Sequence, residues 1–136
     1  MALFFSKILY MSYVYFNPNP DKKNVGDCAI RAFCAATDND WDTAYIKIIL
    51  RGFAMKDMPS SDDVWGAQLH DAGFIREVIP NTCPYCYTVK DFCEDNPKGI
   101  YVLGTGTHAV AVKDGDYYDA WDSGNKVPLY YWRKEN

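Results

Sequence analysis

The sequence has little positive charge, few histidines and no long apolar run. Lysine and arginine number 14 against 18 aspartates and glutamates, so the formal net charge is −4. A domain that binds long stretches of nucleic acid carries an excess of basic residues, and we therefore do not expect nucleic acid as a partner. The apolar opening MALFFSKILYM is too short to cross a bilayer, so we do not expect a membrane partner either.

The opening also lacks the charged start and small-residue cleavage site of a secretory signal. The chain has an odd number of cysteines: Cys28, Cys34, Cys83, Cys86 and Cys93. Both observations favour reduced thiols in a cytoplasm over a disulfide framework.

The length of 136 residues is sufficient for one domain with its own apolar core. We expect residues 1–12 to be an apolar N-terminal extension, with Met11 as an alternative start of the chain. Residues 13–136 are expected to form the single domain.

Apolar spacing predicts three helices, which begin after Asp27, Asp40 and Ser60 or Ser61 and end at Thr37, Gly52 and Gly73. From Phe74 the pattern changes to strands, in FIREVIP, GIYVLG, THAVAVK, DYYDAWD and VPLYYW, with a short helix over 88–94. Helices first and an antiparallel sheet second predict an α+β domain.

The stretch NVGDCAIRAFCAA places Cys28 in the first turn of the first predicted helix. A helix N-terminus and a neighbouring imidazole both lower the pKa of a thiol, which makes it a better nucleophile. Of the two histidines, His108 begins a predicted strand and is the better partner, whereas His70 lies near the end of a helix and is expected to be solvated.

The carboxylate that orients His108 depends on the turn between the next two strands. A three-residue loop over KDG would place Asp122 on the face of His108, and we favour this register slightly. A two-residue loop at DG would shift the register by one and place Asp119 there instead.

The order of Cys28, a histidine at a strand start and an aspartate on the next strand resembles the papain-like cysteine peptidase superfamily. Within it, NPNPDKKNVGDCAIRA and THAVAVKDGDYYDAWDSGN resemble small phage and prophage proteins of Gram-positive bacteria, related in outline to bacteriocin-processing peptidases and CHAP-type amidases. The resemblance implies a papain-like fold with N-terminal helices packed on the sheet. It also implies Cys28 as nucleophile, His108 as general base and Asp122 as orienting carboxylate.

One position departs from that resemblance. Such enzymes usually place an amide side chain six residues before the cysteine to complete the oxyanion hole, and Lys22 stands there. Asn24 and Asn17 are the nearby alternatives, and we expect Asn24 to serve.

The remaining cysteines suggest two further chemistries. CPYC at 83–86 has the spacing of a glutaredoxin-type motif, but the rest of the chain lacks the pattern of a thioredoxin-like domain. Cys83, Cys86, Cys93 and His70 could supply four zinc ligands, yet a second CxxC is missing. We therefore expect neither a metal nor a cofactor, and interpret PNTCPYCY as a loop at the rim of the cleft.

Two functions remain open. The first is a phage-encoded cytoplasmic cysteine hydrolase that cleaves a peptide or amide. The second is an anti-defence binding protein that sequesters a nucleotide-derived bacterial immune signal in the same cleft without turnover. For ligand binding we single out Asp27, Trp65, Tyr85, Tyr87, Tyr118, Asp119 and Trp121, whose rings or carboxylates could contact a base or substrate.

Overall fold

The four helices form as the sequence patterns predict, with small shifts at their ends. A computed structural model describes residues 13–135, so the expected extension over residues 1–12 lies outside the described residues. The helices are α1 (Cys28–Thr37), α2 (Trp41–Met55), α3 (Asp62–Asp71) and α4 (Val89–Asp95). Within the described part of the chain, none of them is long and apolar enough to span a bilayer.

Side-chain caps fix the starts of three helices. Asp40 accepts a hydrogen bond from the Thr43 backbone at 2.7 Å at the start of α2. Ser61 caps α3, and Thr88 forms a reciprocal capping box with Asp91 at the start of α4. These caps satisfy backbone N–H groups that have no partner inside the helix.

The prediction that Gly52 ends α2 is wrong. The helix continues to Met55, and Lys56 supplies the left-handed residue that closes it, with φ 58°. Gly52 is instead buried inside the helix, where a Cβ atom would stand 2.8 Å from the Asp57 carbonyl oxygen. Gly52 therefore allows the chain after the helix to pack closely against it and does not cap the helix.

Six strands form one sheet: β1 (Tyr13–Tyr15), β2 (Phe74–Val78), β3 (Ile100–Gly104), β4 (Ala109–Lys113), β5 (Asp116–Asp119) and β6 (Tyr130–Lys134). Their spatial order is β1-β5-β4-β3-β6-β2. The α+β class is confirmed, but the expected antiparallel sheet is mixed because β1 pairs in parallel with β5. A parallel edge pairing between distant segments carries no local turn signal.

The β4–β5 hairpin takes the two-residue loop. Lys113 pairs with Asp116, and Asp114 and Gly115 both have positive φ, at 50° and 84°, as a type I′ turn requires. The slightly favoured three-residue loop is therefore wrong. The observed register decides which carboxylate meets His108.

Helices cover both faces of the sheet. Ala109 and Ala111 of β4 belong to the core shared with α1–α3, while Val110 and Val112 belong to a second core that includes α4. Small alanines on the β4 face let α1 pack closely on the strand. This packing brings the start of α1 to the end of the sheet where β4 begins and β5 ends.

Gly104 of β3 offers a test of how tightly the sheet is packed. It lies opposite Tyr130 of β6, and a Cβ atom at position 104 would stand 2.3 Å from that ring. The ring is also held by a 2.7 Å hydrogen bond from its hydroxyl to Asp62. We expect Gly104→Ala to lower the free energy of unfolding by about 1–3 kcal/mol through overpacking, measured by urea denaturation.

Gly26→Ala is the matched control, because a Cβ atom there would meet nothing within 4 Å. Equal stability of the two alanine variants would contradict the packing described for β3 and β6.

Candidate active site

Cys28 lies half-buried at the first position of α1. The helix macrodipole places partial positive charge at this end, which favours an ionised thiol. The Ala109 backbone also hydrogen-bonds the sulfur, and Ala109 is the first residue of β4. The helix start and the strand start therefore meet at the thiol.

His108 and Asp119 stand at the same end of neighbouring strands. His108 immediately precedes β4, and Asp119 is the last residue of β5. His108 Nε2 lies 2.6 Å from Asp119 Oδ2. Because a carboxylate only accepts hydrogen bonds, Nε2 carries the proton and Nδ1 is left for the hydrogen bond between His108 and Cys28.

The electrostatics of these groups favour a thiolate beside an imidazolium. Burial alone would raise the pKa of Cys28, but the hydrogen bonds from His108 and Ala109 outweigh it, and the pKa is lowered. Burial alone would lower the pKa of His108, yet Asp119 and Cys28 raise it to about 9. Between the two pKa values, Cys28 is charged and His108 is protonated.

Four hydrogen bonds hold the Asp119 carboxylate in place. Besides His108, its oxygens accept from Ser123 Oγ at 2.7 Å, the Ala120 backbone at 2.8 Å and an Arg31 guanidinium nitrogen at 2.9 Å. Burial would raise the pKa of Asp119, but the hydrogen bonds led by His108 and Ser123 lower it. The carboxylate therefore stays ionised and fixed against the imidazole.

Arg31 extends this network into α1, and sequence reasoning missed it. Its guanidinium pairs with both Asp27 and Asp119, and Trp41 Nε1 donates to Asp27 at 2.9 Å. Asp27 precedes α1 as predicted but makes no capping hydrogen bond. The spacing of four residues between Asp27 and Arg31 was a signal for the first pair, whereas Asp119 is 88 residues from Arg31.

An open cleft of about 520 Å³ leads to the thiol. Its walls come from residues 24–26, 107–108 and 120–121, together with Cys28, Arg31 and Ser60. Trp121 packs on the His108 ring with centroids 4.6 Å apart. A cleft of this size lies within the usual range of about 300–1,000 Å³ for ligand sites.

No known protein family, curated protein or solved structure matches this chain. The chemistry of the cleft is therefore inferred from its own atoms. They comprise the Cys28 thiol, the His108 imidazole and the Asp119 carboxylate, with hydrogen bonds from the thiol to the imidazole and from the imidazole to the carboxylate.

Asp122 does not contact His108, so the placement expected for it is wrong. Asp122 accepts a 2.5 Å hydrogen bond from the Tyr117 hydroxyl and another from the Gly124 backbone at 3.0 Å. The two-residue turn is the cause, because it shifts β5 by one position against β4. Asp119, the alternative from the other register, occupies the place beside His108.

Of the residues singled out for ligand binding, Trp121 alone lines the cleft through an aromatic ring. Trp65 is buried in the core at 3% exposure and cannot stack on a ligand. Tyr85 and Tyr87 belong to the loop after β2, which supplies no residue to the cleft, so the expectation that this loop forms the rim is also wrong. Tyr118 packs edge-on against Phe16.

The two candidate asparagines have different surroundings. Asn24 is exposed and lines the cleft. Asn17 is buried and holds the lead-in loop together: its amide donates to the Lys23 carbonyl, and its oxygen accepts from the Asn19 backbone. Lys22, at the usual position of the amide side chain, turns its ammonium to the Asn17 carbonyl at 3.1 Å. Asn24 is therefore the side chain available to a ligand.

The residues considered for zinc are not assembled into a site. Cys83 and Cys86 are in contact, but Cys93 is buried in α4 and His70 is exposed on α3. Within residues 13–135, no group of three histidine, cysteine or acidic side chains is arranged to hold a metal ion.

Asp119→Asn tests the observed partner of His108. The amide removes the charge that raises the His108 pKa to about 9, so at pH 7.5 we expect the imidazolium to be lost and Cys28 alkylation by iodoacetamide to slow by about tenfold or more. In the unchanged protein, reactivity should decrease as the pH falls through the lowered Cys28 pKa. Peptide mass spectrometry reports the rate at each cysteine.

Asp122→Asn is the matched control and should leave Cys28 alkylation unchanged. The opposite ranking of the two variants would contradict the register of β4 and β5. Thermal unfolding of both variants confirms that each is folded at the temperature of the assay.

Arg31→Met tests the buried ion pairs. The Arg31 and Asp119 side chains are 7% and 1% exposed, so removing the cation leaves two buried carboxylates without it. We expect a loss of about 3–5 kcal/mol in the free energy of unfolding, measured by urea denaturation.

Arg51→Met removes a comparable pair with Asp71, whose side chain is 54% exposed. We expect this change to cost less than about 1 kcal/mol. Similar losses in the two arginine variants would show that Arg31 is not needed as a buried counterion.

Proposed function

We propose that this protein is a cysteine hydrolase that cleaves a peptide or amide bond through an acyl-enzyme intermediate. The observation that carries the proposal is the continuous line from the Cys28 thiol through His108 to the buried Asp119 carboxylate, open to a cleft. An ordinary structural cysteine needs neither a charged imidazole partner nor access to a cleft.

In the first half of the reaction, the Cys28 thiolate attacks the acyl carbon of the substrate. The oxygen then carries negative charge, and we assign its stabilisation to the Cys28 backbone N–H at the helix start and to the Asn24 amide, both of which line the cleft. The His108 imidazolium gives its Nδ1 proton to the departing amine as the carbon–nitrogen bond breaks. The acyl group remains on sulfur as a thioester.

In the second half, neutral His108 takes a proton from water at Nδ1, and the resulting hydroxide attacks the thioester. The carbon–sulfur bond breaks, the acid leaves, and the Cys28 thiolate and His108 imidazolium are restored. Asp119 stays ionised throughout, and its hydrogen bond from Nε2–H fixes the tautomer of His108 that has Nδ1 free. Trp121, packed on the ring, limits its rotation.

The alternative of a binding protein that sequesters a nucleotide-derived signal has less support from the geometry. A phosphate-bearing ligand would need free positive charge and several exposed rings. Arg31 in the cleft wall is already paired with two carboxylates, and His108 is paired with Asp119. Of the rings named for stacking, Trp121 alone lines the cleft. We expect the reaction to take place in a cytoplasm, where thiols stay reduced.

The proposal is tested with p-nitrophenyl acetate as an acyl donor. We expect a burst of p-nitrophenolate and an acetyl group on Cys28, detected by peptide mass spectrometry. Cys28→Ser should abolish the burst, and His108→Ala should slow acetylation of Cys28 by about tenfold or more because the imidazolium that lowers the thiol pKa is lost.

His70→Ala is the matched control, since it removes the other histidine from an exposed position on α3. It should leave the burst unchanged. Acetylation of Cys28 that does not depend on His108 would contradict the proposal. A library of nucleotide signals would then be screened for binding to test the alternative.

A further inference from the structure

We propose that Cys83 and Cys86 form a second, independent reactive site: a dithiol that closes to a disulfide by exchange with a small-molecule disulfide. The two sulfur atoms lie 3.4 Å apart, within contact distance, and both residues are exposed. Exposed, adjacent thiols in a CxxC arrangement are the setting in which thiol–disulfide exchange takes place.

The loop backbone brings the two thiols together. The Tyr85 backbone N–H donates to the Thr82 carbonyl at 2.9 Å, which closes a turn across the motif. Asn81 Oδ1 accepts from the Cys83 backbone, and Thr82 Oγ1 accepts from the Tyr87 backbone. These bonds flank both cysteines and hold the turn in which their sulfur atoms are in contact.

The two thiols are not equivalent. The hydrogen bond with Cys83, and then the charge on the Cys83 sulfur, raise the pKa of Cys86. The contact therefore favours the proton on Cys86, and we assign Cys83 as the first nucleophile.

The exchange has two balanced steps. The Cys83 thiolate attacks one sulfur of glutathione disulfide, the sulfur–sulfur bond of that reagent breaks, and one glutathione thiolate leaves. Cys86 loses its proton and attacks the Cys83 sulfur of the mixed disulfide, which releases the second glutathione thiolate. The protein gives up two electrons and two protons, and the reagent is reduced to two glutathione thiols.

The site is separate from the cleft. It follows β2 at one edge of the sheet, and β3 and β6 lie between β2 and the strands that carry His108 and Asp119. The two core cysteines, Cys34 and Cys93, do not compete for the disulfide reagent, because burial raises the pKa of each to about 12. Cys28 is the other reactive thiol and can be removed by substitution.

The experiment uses the full chain with Cys28→Ala as parent. The protein is equilibrated with mixtures of reduced and oxidised glutathione, quenched with acid, treated with N-ethylmaleimide and mapped by mass spectrometry. We expect Cys83 and Cys86 to lose their free thiols together, without a lasting glutathione adduct. Limiting iodoacetamide on the reduced parent should label Cys83 ahead of Cys86.

Cys86→Ser in this parent should leave a stable glutathione adduct on Cys83, because no second thiol resolves it. Tyr85→Ser is the matched control: it changes the same exposed loop, keeps both thiols and should form the disulfide as the parent does. Circular dichroism checks that each variant is folded. The proposal is overturned if the parent keeps both thiols free in oxidised glutathione, or if it accumulates glutathione adducts in place of the internal disulfide.

Discussion

The buried ion pair between Arg31 and Asp119 is the interaction on which the candidate site depends. It joins α1, which carries the thiol, to the end of β5, which carries the carboxylate. Charges alternate in sign along the network from Asp27 through Arg31 and Asp119 to His108, and end at the Cys28 thiolate. Each buried charge therefore has an opposite neighbour, which is the condition under which such groups remain ionised away from water.

Five free thiols in one chain have three different environments, and the environment decides their chemistry. Cys28 is activated by an imidazole at a helix start. Cys34 and Cys93 are buried among apolar side chains, where burial holds their protons in place. Cys83 and Cys86 are exposed, and the contact between their sulfur atoms raises the pKa of Cys86. Neither cysteine count nor spacing distinguishes these cases.

Most of the secondary structure could be predicted because it depends on local signals. The limits of α1 follow from apolar spacing behind Asp27, and Ser61 and Thr88 mark helix starts through their own hydrogen bonds. Long-range pairing could not be predicted in the same way. The parallel contact of β1 with β5 joins segments about a hundred residues apart, and nothing in Tyr13–Tyr15 specifies a partner strand.

The sequence by itself determined that Cys28 begins a helix and that a strand begins next to His108, because apolar periodicity acts over a few residues. It left Asp119 and Asp122 as alternatives, since DG and KDG are both acceptable hairpin turns. Only the tertiary structure decided for Asp119: sheet pairing fixed the two-residue turn, and Arg31 of α1 met that carboxylate across the fold. Such a contact depends on packing between distant segments, which no local pattern encodes.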